Sequence, residues 1–176
     1  MPMNKDLISE IESTSSSLMQ AVDDLSEAQM KYKVNPQVWS IHECLEHIVI
    51  TEIAVYRILM QPPATETSSS ENEKIGKEKM ARILSDRTRK TESPDDVKPI
   101  GRFTTREELL DKFNSNRKRI TDALKENSIV FDNRIILHPT LGEMTKKDWL
   151  HFMIHHADRH CSQITEIKSI VLLQMI

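Results

Sequence analysis

The sequence predicts an all-α protein that folds as a four-helix bundle with a long crossover between its second and third long helices. Three observations support this fold class. The 176 residues include only three glycines but nine methionines, a composition that favours helices over strands. Four segments carry apolar residues at the 3.6-residue spacing of a buried helix face. Polar or proline-containing segments separate them, and the longest lies between the second and the third.

The first predicted helix covers residues 4–30. Its apolar residues, from Leu7 to Leu25, keep a helical phase along the whole segment. The serines and threonine at residues 13–17 are weak helix formers. Because the apolar phase continues across them, we expect one uninterrupted helix, followed by a turn at residues 31–38.

The second helix is predicted to begin at Ser40. Glu43 follows three residues later, so the two side chains can form a capping box. Apolar residues continue the helix until Pro62 stops it, and His47 lies at the margin of their stripe. The polar composition that follows predicts a mobile linker at about residues 62–73.

The long crossover follows this linker. Residues 74–89 predict a short helix, and residues 91–103 contain two prolines and a glycine. We expect this part of the chain to pack over the bundle. The third long helix is predicted to begin at Thr104 or Thr105, and residues 127–137 are expected to be irregular or weakly extended.

The last helix carries four of the seven histidines. It is expected to follow a loop at residues 138–144, with Thr145 as N-cap and Asp148 in a weaker form of the capping box. No glycine or proline interrupts it up to Ile167. Its histidines form two pairs whose members are four residues apart, and such residues lie one above the other on a helix.

A helical wheel separates the two pairs. His156 and His160 lie on the apolar face, whereas His151 and His155 lie opposite and are expected at the surface. Two stacked imidazoles in a core are difficult to explain as packing, because each neutral ring has one N–H and one lone pair to satisfy. A metal ion would satisfy both lone pairs. The alternative is a pair of core histidines bonded to backbone or carboxylate groups.

His47 supplies a third candidate imidazole, because four-helix bundles build metal sites from inward side chains on facing helices. Taken alone, His47 is more typical of a hydrogen-bonded residue at the rim of a helix face. With His156 and His160 it predicts a site for Zn²⁺ or a similar ion such as Ni²⁺. Three protein ligands would leave a position open for water or substrate, as in catalytic zinc sites.

Nearby side chains could support such a site. Glu43 is one turn from His47 and Gln163 is one turn past His160, so we expect each to orient its imidazole through the second ring nitrogen. His138, in the loop before the last helix, is a further candidate at the mouth of the bundle. No side chain is assigned as the catalytic group, because a metal-bound water or a metal-activated thiol would have that role.

Composition limits the other classes of function. The length predicts one domain spanning residues 1–176. A net charge of −3 gives no electrostatic basis for binding nucleic acid or an anionic membrane. No apolar run could span a bilayer and no signal-peptide pattern is present, so we expect a cytoplasmic protein. Cys44 and Cys161 are expected to be buried free thiols. The paired Glu-x-x-His motifs of di-iron bundles are missing.

Several segments between residues 39 and 167 resemble the DinB/YfiT-like superfamily. The most specific are the closing His-x-x-x-His…Gln-Ile pattern and the upstream Trp…His pair. The full set is Trp39-Ser-Ile-His-Glu-Cys-Leu-Glu-His47, Asp86-Arg87, Pro99-Ile-Gly-Arg-Phe103, His138-Pro-Thr-Leu-Gly142 and Trp149…His156-Ala-Asp-Arg-His160-Cys-Ser-Gln-Ile164. The resemblance implies a four-helix bundle, usually dimeric, that binds nickel or zinc through three histidines. Matched residue by residue, the three histidines of the family correspond to His47, His156 and His160 in this sequence.

The resemblance implies less about the reaction. Members are described as metal-dependent hydrolases, and some relatives are thiol-dependent transferases or isomerases. We therefore predict an enzyme that hydrolyses a small molecule through metal-bound water. Transfer of a low-molecular-weight thiol and a non-catalytic metal-binding or stress-related module are the alternatives. A homodimer is expected from the resemblance alone.

Overall fold

The computed structural model describes residues 2–63, 73–88 and 92–175. Residues 64–72 of the predicted linker therefore lie outside the described residues. Within them, no helix combines the length and the apolar character of a membrane span. The elements in chain order are α1 (Pro2–Val22), α2 (Glu27–Lys31), α3 (Ile41–Leu59), α4 (Lys77–Ser85), a 3-10 turn (Asp95–Val97), α5 (Arg106–Lys125), β1 (Ile136–His138), β2 (Gly142–Met144) and α6 (Lys146–Gln174).

The four long helices form the predicted bundle. α3 packs against α5 and α6, and α1 packs against the same two helices, so the order around the bundle is α1, α6, α3, α5. α4 lies against α6 from outside this ring. The prediction of a four-helix bundle is confirmed, and the short helices and a small hairpin are additions to it.

The predicted first helix is wrong in its last part. α1 ends at Val22 and α2 begins after Ser26. The Ser26 hydroxyl accepts the N–H of Gln29, while the Gln29 side chain accepts the N–H of Ser26. This capping box starts a new helix and breaks the old one. The serine-rich stretch stays helical, as predicted, and three of its hydroxyls donate to carbonyls four residues earlier. These bonds satisfy the hydroxyls within the helix.

Strands β1 and β2 form an antiparallel hairpin where the sequence predicted an irregular or weakly extended segment followed by a loop. The extended conformation of Ile136 and Leu137 agrees with that prediction, but the pairing with β2 was missed. Strands of three residues are too short to show an alternating apolar pattern. The His138 ring stabilises the turn between them. Its Nδ1 accepts the backbone N–H groups of Thr140 and Leu141, both at 3.2 Å.

Three predicted helix starts are confirmed. Ser40 and Glu43 form the capping box of α3. Thr145 and Asp148 form that of α6. Thr105 is the N-cap of α5. These caps fix where α3 and α6 begin, and therefore which side chains each helix presents to the other.

A polar layer crosses the middle of the bundle. Two clusters of buried apolar side chains fill the two ends. On α6 they meet around His156, and on α3 and α5 they meet around Glu52 and Arg117. All three of these polar residues are buried. The candidate histidines therefore lie in a layer that already contains buried charge.

Asp148 joins the start of α6 to the chain entering α4. Its buried carboxylate accepts the N–H of Thr145 and those of three consecutive residues, Lys74, Ile75 and Gly76. Burial alone would raise the pKa of Asp148. The hydrogen bonds outweigh burial and hold that pKa below its ordinary value. The ionised carboxylate is therefore part of the folded structure.

Replacing Asp148 by asparagine is expected to lower the free energy of unfolding by about 3 kcal/mol near neutral pH, because buried N–H groups lose a charged acceptor. Since the folded pKa is lowered, this stabilisation is complete above the unfolded-state pKa of about 3.9 and is lost as pH falls through the folded value. Urea unfolding of both proteins at about pH 7 and about pH 3 measures it. A difference that grows on acidification would contradict the assignment.

Candidate metal centre

Three histidines meet in the polar layer between α3 and α6. α3 carries His47, and α6 carries His156 and His160 one turn apart. The Nε2 atom of His156 lies 3.2 Å from that of His47 and 3.1 Å from that of His160. One ligand atom from each ring lies within 4.8 Å of the other two. The structure thus brings together the three side chains that the sequence singled out.

Burial keeps these imidazoles neutral. His47, His156 and His160 are 5%, 8% and 7% exposed. Burial lowers the pKa of His47, lowers that of His160 to about 3, and together with the two neighbouring rings lowers the pKa of His156 well below its ordinary value. At neutral pH each ring therefore has one N–H and one lone pair.

Hydrogen bonds at Nδ1 orient two of the three rings, those of His47 and His160. Nδ1 of His47 lies 2.7 Å from the carbonyl oxygen of Val97, and Nδ1 of His160 lies 2.9 Å from Oε1 of Gln163. Carbonyl oxygens only accept hydrogen bonds, so each Nδ1 carries the proton and donates it. The lone pairs of both rings are therefore on Nε2 and point towards His156.

The third ring cannot satisfy both of these lone pairs. Nε2 of His156 lies between them, and one N–H would serve one of them at a time. Nδ1 of His156 is buried and has no hydrogen-bond partner among the described residues. Nitrogen ligands about 2.1 Å from a tetrahedral zinc ion lie about 3.4 Å apart, close to the 3.2 Å and 3.1 Å that separate Nε2 of His156 from those of His47 and His160. The cluster could therefore hold a metal ion.

Aromatic rings surround the cluster. The ring of Trp39 lies 5.0 Å from that of His47 and is stacked 6.5 Å from that of His160, measured between centroids. The ring of Phe152 lies 5.0 Å from that of His156. These apolar walls limit the access of water, and a drier site strengthens the interaction between a cation and its ligands.

The expected supporting residues are only partly correct. Gln163 contacts His160, as predicted. Glu43 does not orient His47, because its carboxylate accepts the N–H of Ser40 in the capping box. The backbone carbonyl of Val97, in the crossover, orients His47 instead. The sequence could not predict this contact, since every residue has a backbone carbonyl and a pattern of side chains does not single one out.

His138 lies beside the cluster without belonging to it. Its ring packs against Trp149 and Phe152, with centroids 5.1 Å and 4.7 Å away. Phe152 in turn contacts the ring of His156. Burial lowers the pKa of His138 to about 4, so this ring is also neutral at physiological pH.

The prediction that His151 and His155 are surface residues is wrong for His151. This side chain is 4% exposed, and its Nε2 lies 2.9 Å from Oε1 of Glu73. His155 is half-buried, with its Nδ1 3.6 Å from Asp158. α6 packs against α1, α3 and α4, so more than one of its faces is covered. A wheel drawn for one buried face misplaces such residues.

The two cysteines are free thiols, as predicted. Cys44 is buried, and burial raises its pKa to about 12. Cys161 is only partly buried, contrary to expectation, and burial raises its pKa as well. Neither side chain provides a thiolate at neutral pH.

Fold and site together define a four-helix bundle protein whose buried histidine cluster could hold a metal ion. Residues 10–164 match the model of the DinB superfamily, and this chain belongs to that superfamily. The uncharacterized protein YuaE of Bacillus subtilis (strain 168) is 27% identical over 144 residues, which are 82% of this chain and 86% of the relative. The crystal structure of TT2238, a four-helix bundle protein, matches with a TM-score of 0.60 over 93% of this chain and 98% of the other, at 13% identity. That similarity supports the fold alone.

Proposed function

We propose that this protein is a divalent-metal-dependent enzyme that hydrolyses a small molecule. One observation carries the proposal: three neutral imidazoles converge on one point in a buried layer, and two of them are held from behind in the tautomer that directs a lone pair inwards. Membership of the DinB superfamily supports it. The expected homodimer and cytoplasmic location stay predictions from the sequence.

His47, His156 and His160 would hold the metal. Imidazole ligands suit Zn²⁺ and Ni²⁺, which are the ions we propose. Three protein ligands are the number found in catalytic zinc sites, where a further position stays open. When bound, the ion would act as a Lewis acid and lower the pKa of a water molecule or a thiol beside it.

The surrounding residues would keep this site ready for the ion. The Val97 carbonyl and the Gln163 side chain hold the rings of His47 and His160, so little reorientation is needed on binding. Trp39 lies over the same two rings and shields them from bulk water. Each of these contacts lowers the cost of ordering the ligands.

A second candidate function is the transfer of a low-molecular-weight thiol. Burial raises the pKa of both Cys44 and Cys161, so the chain has no thiolate of its own to offer. A thiol nucleophile would therefore come from a small molecule, and soft sulfur suits the proposed metals. The two candidates differ in the nucleophile, which makes them separable by experiment.

The test begins with protein stripped by a chelator and reloaded with Zn²⁺ or Ni²⁺. We expect elemental analysis to find about one metal ion per chain. We also expect hydrolysis of some member of a panel of small esters, amides and lactones without added thiol. Turnover that requires a low-molecular-weight thiol would support the second candidate. Retained metal without turnover in either condition would leave a non-catalytic metal-binding module. Metal content no higher than that of His156→Ala would rule out the metal site.

A further inference from the structure

Glu46, the residue before His47 on α3, binds the backbone of the crossover. Its side chain is 1% exposed. The carboxylate accepts the N–H groups of three consecutive residues, Ile100 at 3.1 Å, Gly101 at 3.2 Å and Arg102 at 2.9 Å. Consecutive N–H groups that converge in this way form a concave anion site, and a buried carboxylate fills it.

The crossover depends on such polar contacts for its position. None of the described residues 92–105 is fully buried. Of the two large apolar side chains beside the contact, Ile100 is 69% exposed, whereas Phe103 is partly buried against an apolar cluster. Residues 100–102 are all exposed, so burial of apolar surface contributes little to holding these three residues against α3. The three hydrogen bonds to Glu46 attach these residues firmly, because hydrogen bonds to a charged acceptor are stronger than neutral ones.

The same segment orients His47. Val97 ends the 3-10 turn, and its carbonyl accepts the Nδ1 proton of the ring at 2.7 Å. Arg102 donates through Nη2 to the carbonyl of Asp96, which ties the part bound by Glu46 to the turn that contains Val97. Adjacent residues of α3 thus contact the crossover at two points, one through a carboxylate and the other through an imidazole.

We propose that Glu46 is a positioning residue for the metal centre. By fixing residues 100–102, Glu46 keeps the Val97 carbonyl on Nδ1 of His47. That contact holds the proton on Nδ1 and leaves the Nε2 lone pair directed at His156. The proposal rests on the proposed metal-binding function for its purpose, but the effect on the His47 ring is a property of the metal-free protein.

The alternative is that Glu46 only stabilises the fold. Asp148 provides a matched control, because its carboxylate also accepts three consecutive backbone N–H groups, those of residues 74–76. It lies eight residues before His156, and its side chain bonds to Thr145 and to residues 74–76, not to the three histidines. Loss of either carboxylate should destabilise the protein, whereas only loss of Glu46 should alter His47.

The experiment compares Glu46→Gln and Asp148→Asn with the wild type as full-length, metal-free proteins. Calorimetric titration with Zn²⁺ is expected to show about 10–100-fold weaker binding for Glu46→Gln, the usual effect of losing a group that orients a ligand. Asp148→Asn is expected to stay within about threefold of the wild type. Nitrogen-15 NMR of the imidazoles should show His47 as the Nδ1–H tautomer in the wild type and in Asp148→Asn, and as a mixture in Glu46→Gln.

A second pair of variants perturbs the loops instead of the carboxylates. Gly101 has φ +77° and Gly76 has φ +79°, and an added Cβ would meet no atom closer than 4.0 Å at either position. Alanine therefore introduces only backbone strain, which costs about 1–3 kcal/mol at such positions. The strain is expected to be at least as large at Gly76, whose ψ of 157° places it in a region that only glycine adopts readily. Gly101→Ala is expected to weaken Zn²⁺ binding several-fold and to broaden the His47 ring signals. Gly76→Ala should do neither. This pair tests the proposal even if Glu46→Gln does not fold.

Two results would overturn the proposal. One is wild-type Zn²⁺ affinity with an unchanged His47 tautomer in both Glu46→Gln and Gly101→Ala. The other is an equal loss of affinity in the Glu46 and Asp148 variants, which would assign Glu46 to stability alone. If the wild type binds no metal, the proposed function fails, and the tautomer in the metal-free variants still decides the role of Glu46.

Discussion

Replacing His156 by alanine is expected to weaken the binding of Zn²⁺ or Ni²⁺ by more than about 100-fold, beyond the loss typical of a residue that only orients a ligand. His156 is the central ring of the cluster. Its Nε2 lies 3.2 Å from that of His47 and 3.1 Å from that of His160. Two imidazoles would remain. A site with two ligands loses one metal–nitrogen bond and no longer has the coordination geometry that three converging lone pairs define.

His151→Ala is the matched control for this prediction. His151 is on the same helix and is 4% exposed, compared with 8% for His156, so each substitution removes one buried imidazole from α6. Its Nε2 faces Glu73 and lies outside the cluster. We expect metal affinity within about threefold of the wild type, because the two positions share no partner.

Two measurements separate the variants. Ni²⁺ should quench the fluorescence of Trp39, whose ring lies 5.0 Å from that of His47, in the wild type and in His151→Ala but not in His156→Ala. At a metal concentration of about 100 times Kd, the free energy of unfolding should rise by about 2.7 kcal/mol in the first two proteins and stay unchanged in the third. Equal losses of affinity in the two variants would contradict the assignment of the site.

Helical periodicity selected His156 and His160, and the predicted bundle fold added His47 to them. The capping box at Ser40 and Glu43 sets the start of α3, and thereby the phase at which His47 meets the core. His156 and His160 are one turn apart on a helix whose apolar pattern is unbroken. These properties are local, and local properties can be read from the order of residues.

The contacts that orient the rings could not be predicted in the same way. Every residue has a carbonyl oxygen, and the choice of Val97 depends on the path of the crossover. That path depends in turn on the three N–H groups bound by Glu46. Neither contact produces a periodic pattern in the sequence, so both could be identified only from the folded structure.

The burial of charged residues was equally inaccessible. Arg117 is followed by Lys118 and Arg119, in a run that is typical of a solvated helix face. It is nevertheless 3% exposed, because α1, α3 and α5 meet around it. Such burial follows from which helices pack together, and a pattern within one helix does not contain that information.

Replacing Arg117 by methionine is expected to lower the free energy of unfolding by about 3–5 kcal/mol, because Glu52 would stay buried without its partner. Nε and Nη2 of Arg117 donate to the Glu52 carboxylate at 2.6–3.1 Å, and the two side chains are 4% and 1% exposed. Nη1 donates to the Ile11 carbonyl and to the hydroxyls of Thr14 and Ser15. Urea unfolding of the metal-free proteins measures the loss.

The next residue on α5 supplies the control. Lys118 forms an ion pair with Asp122 one turn further on, but the two side chains are 75% and 40% exposed. Exposed pairs contribute little, since water screens them and the long side chains lose conformational freedom. Lys118→Met should therefore leave the free energy of unfolding almost unchanged. A loss as large as that of Arg117→Met would mean that the apolar replacement is harmful for other reasons.

The double variant Glu52→Leu/Arg117→Met decides what the buried pair is for. Removing both charges leaves no uncompensated ion, so it should be more stable than Arg117→Met alone, even though it carries one more substitution. Losses that simply add would show that the two residues act independently. If the double variant matches the wild type in stability but binds Zn²⁺ more weakly, then the Glu52–Arg117 pair contributes to metal binding by the histidine cluster. If its affinity for Zn²⁺ is also unchanged, the Glu52–Arg117 pair and the histidine cluster are independent, although they lie in the same polar layer.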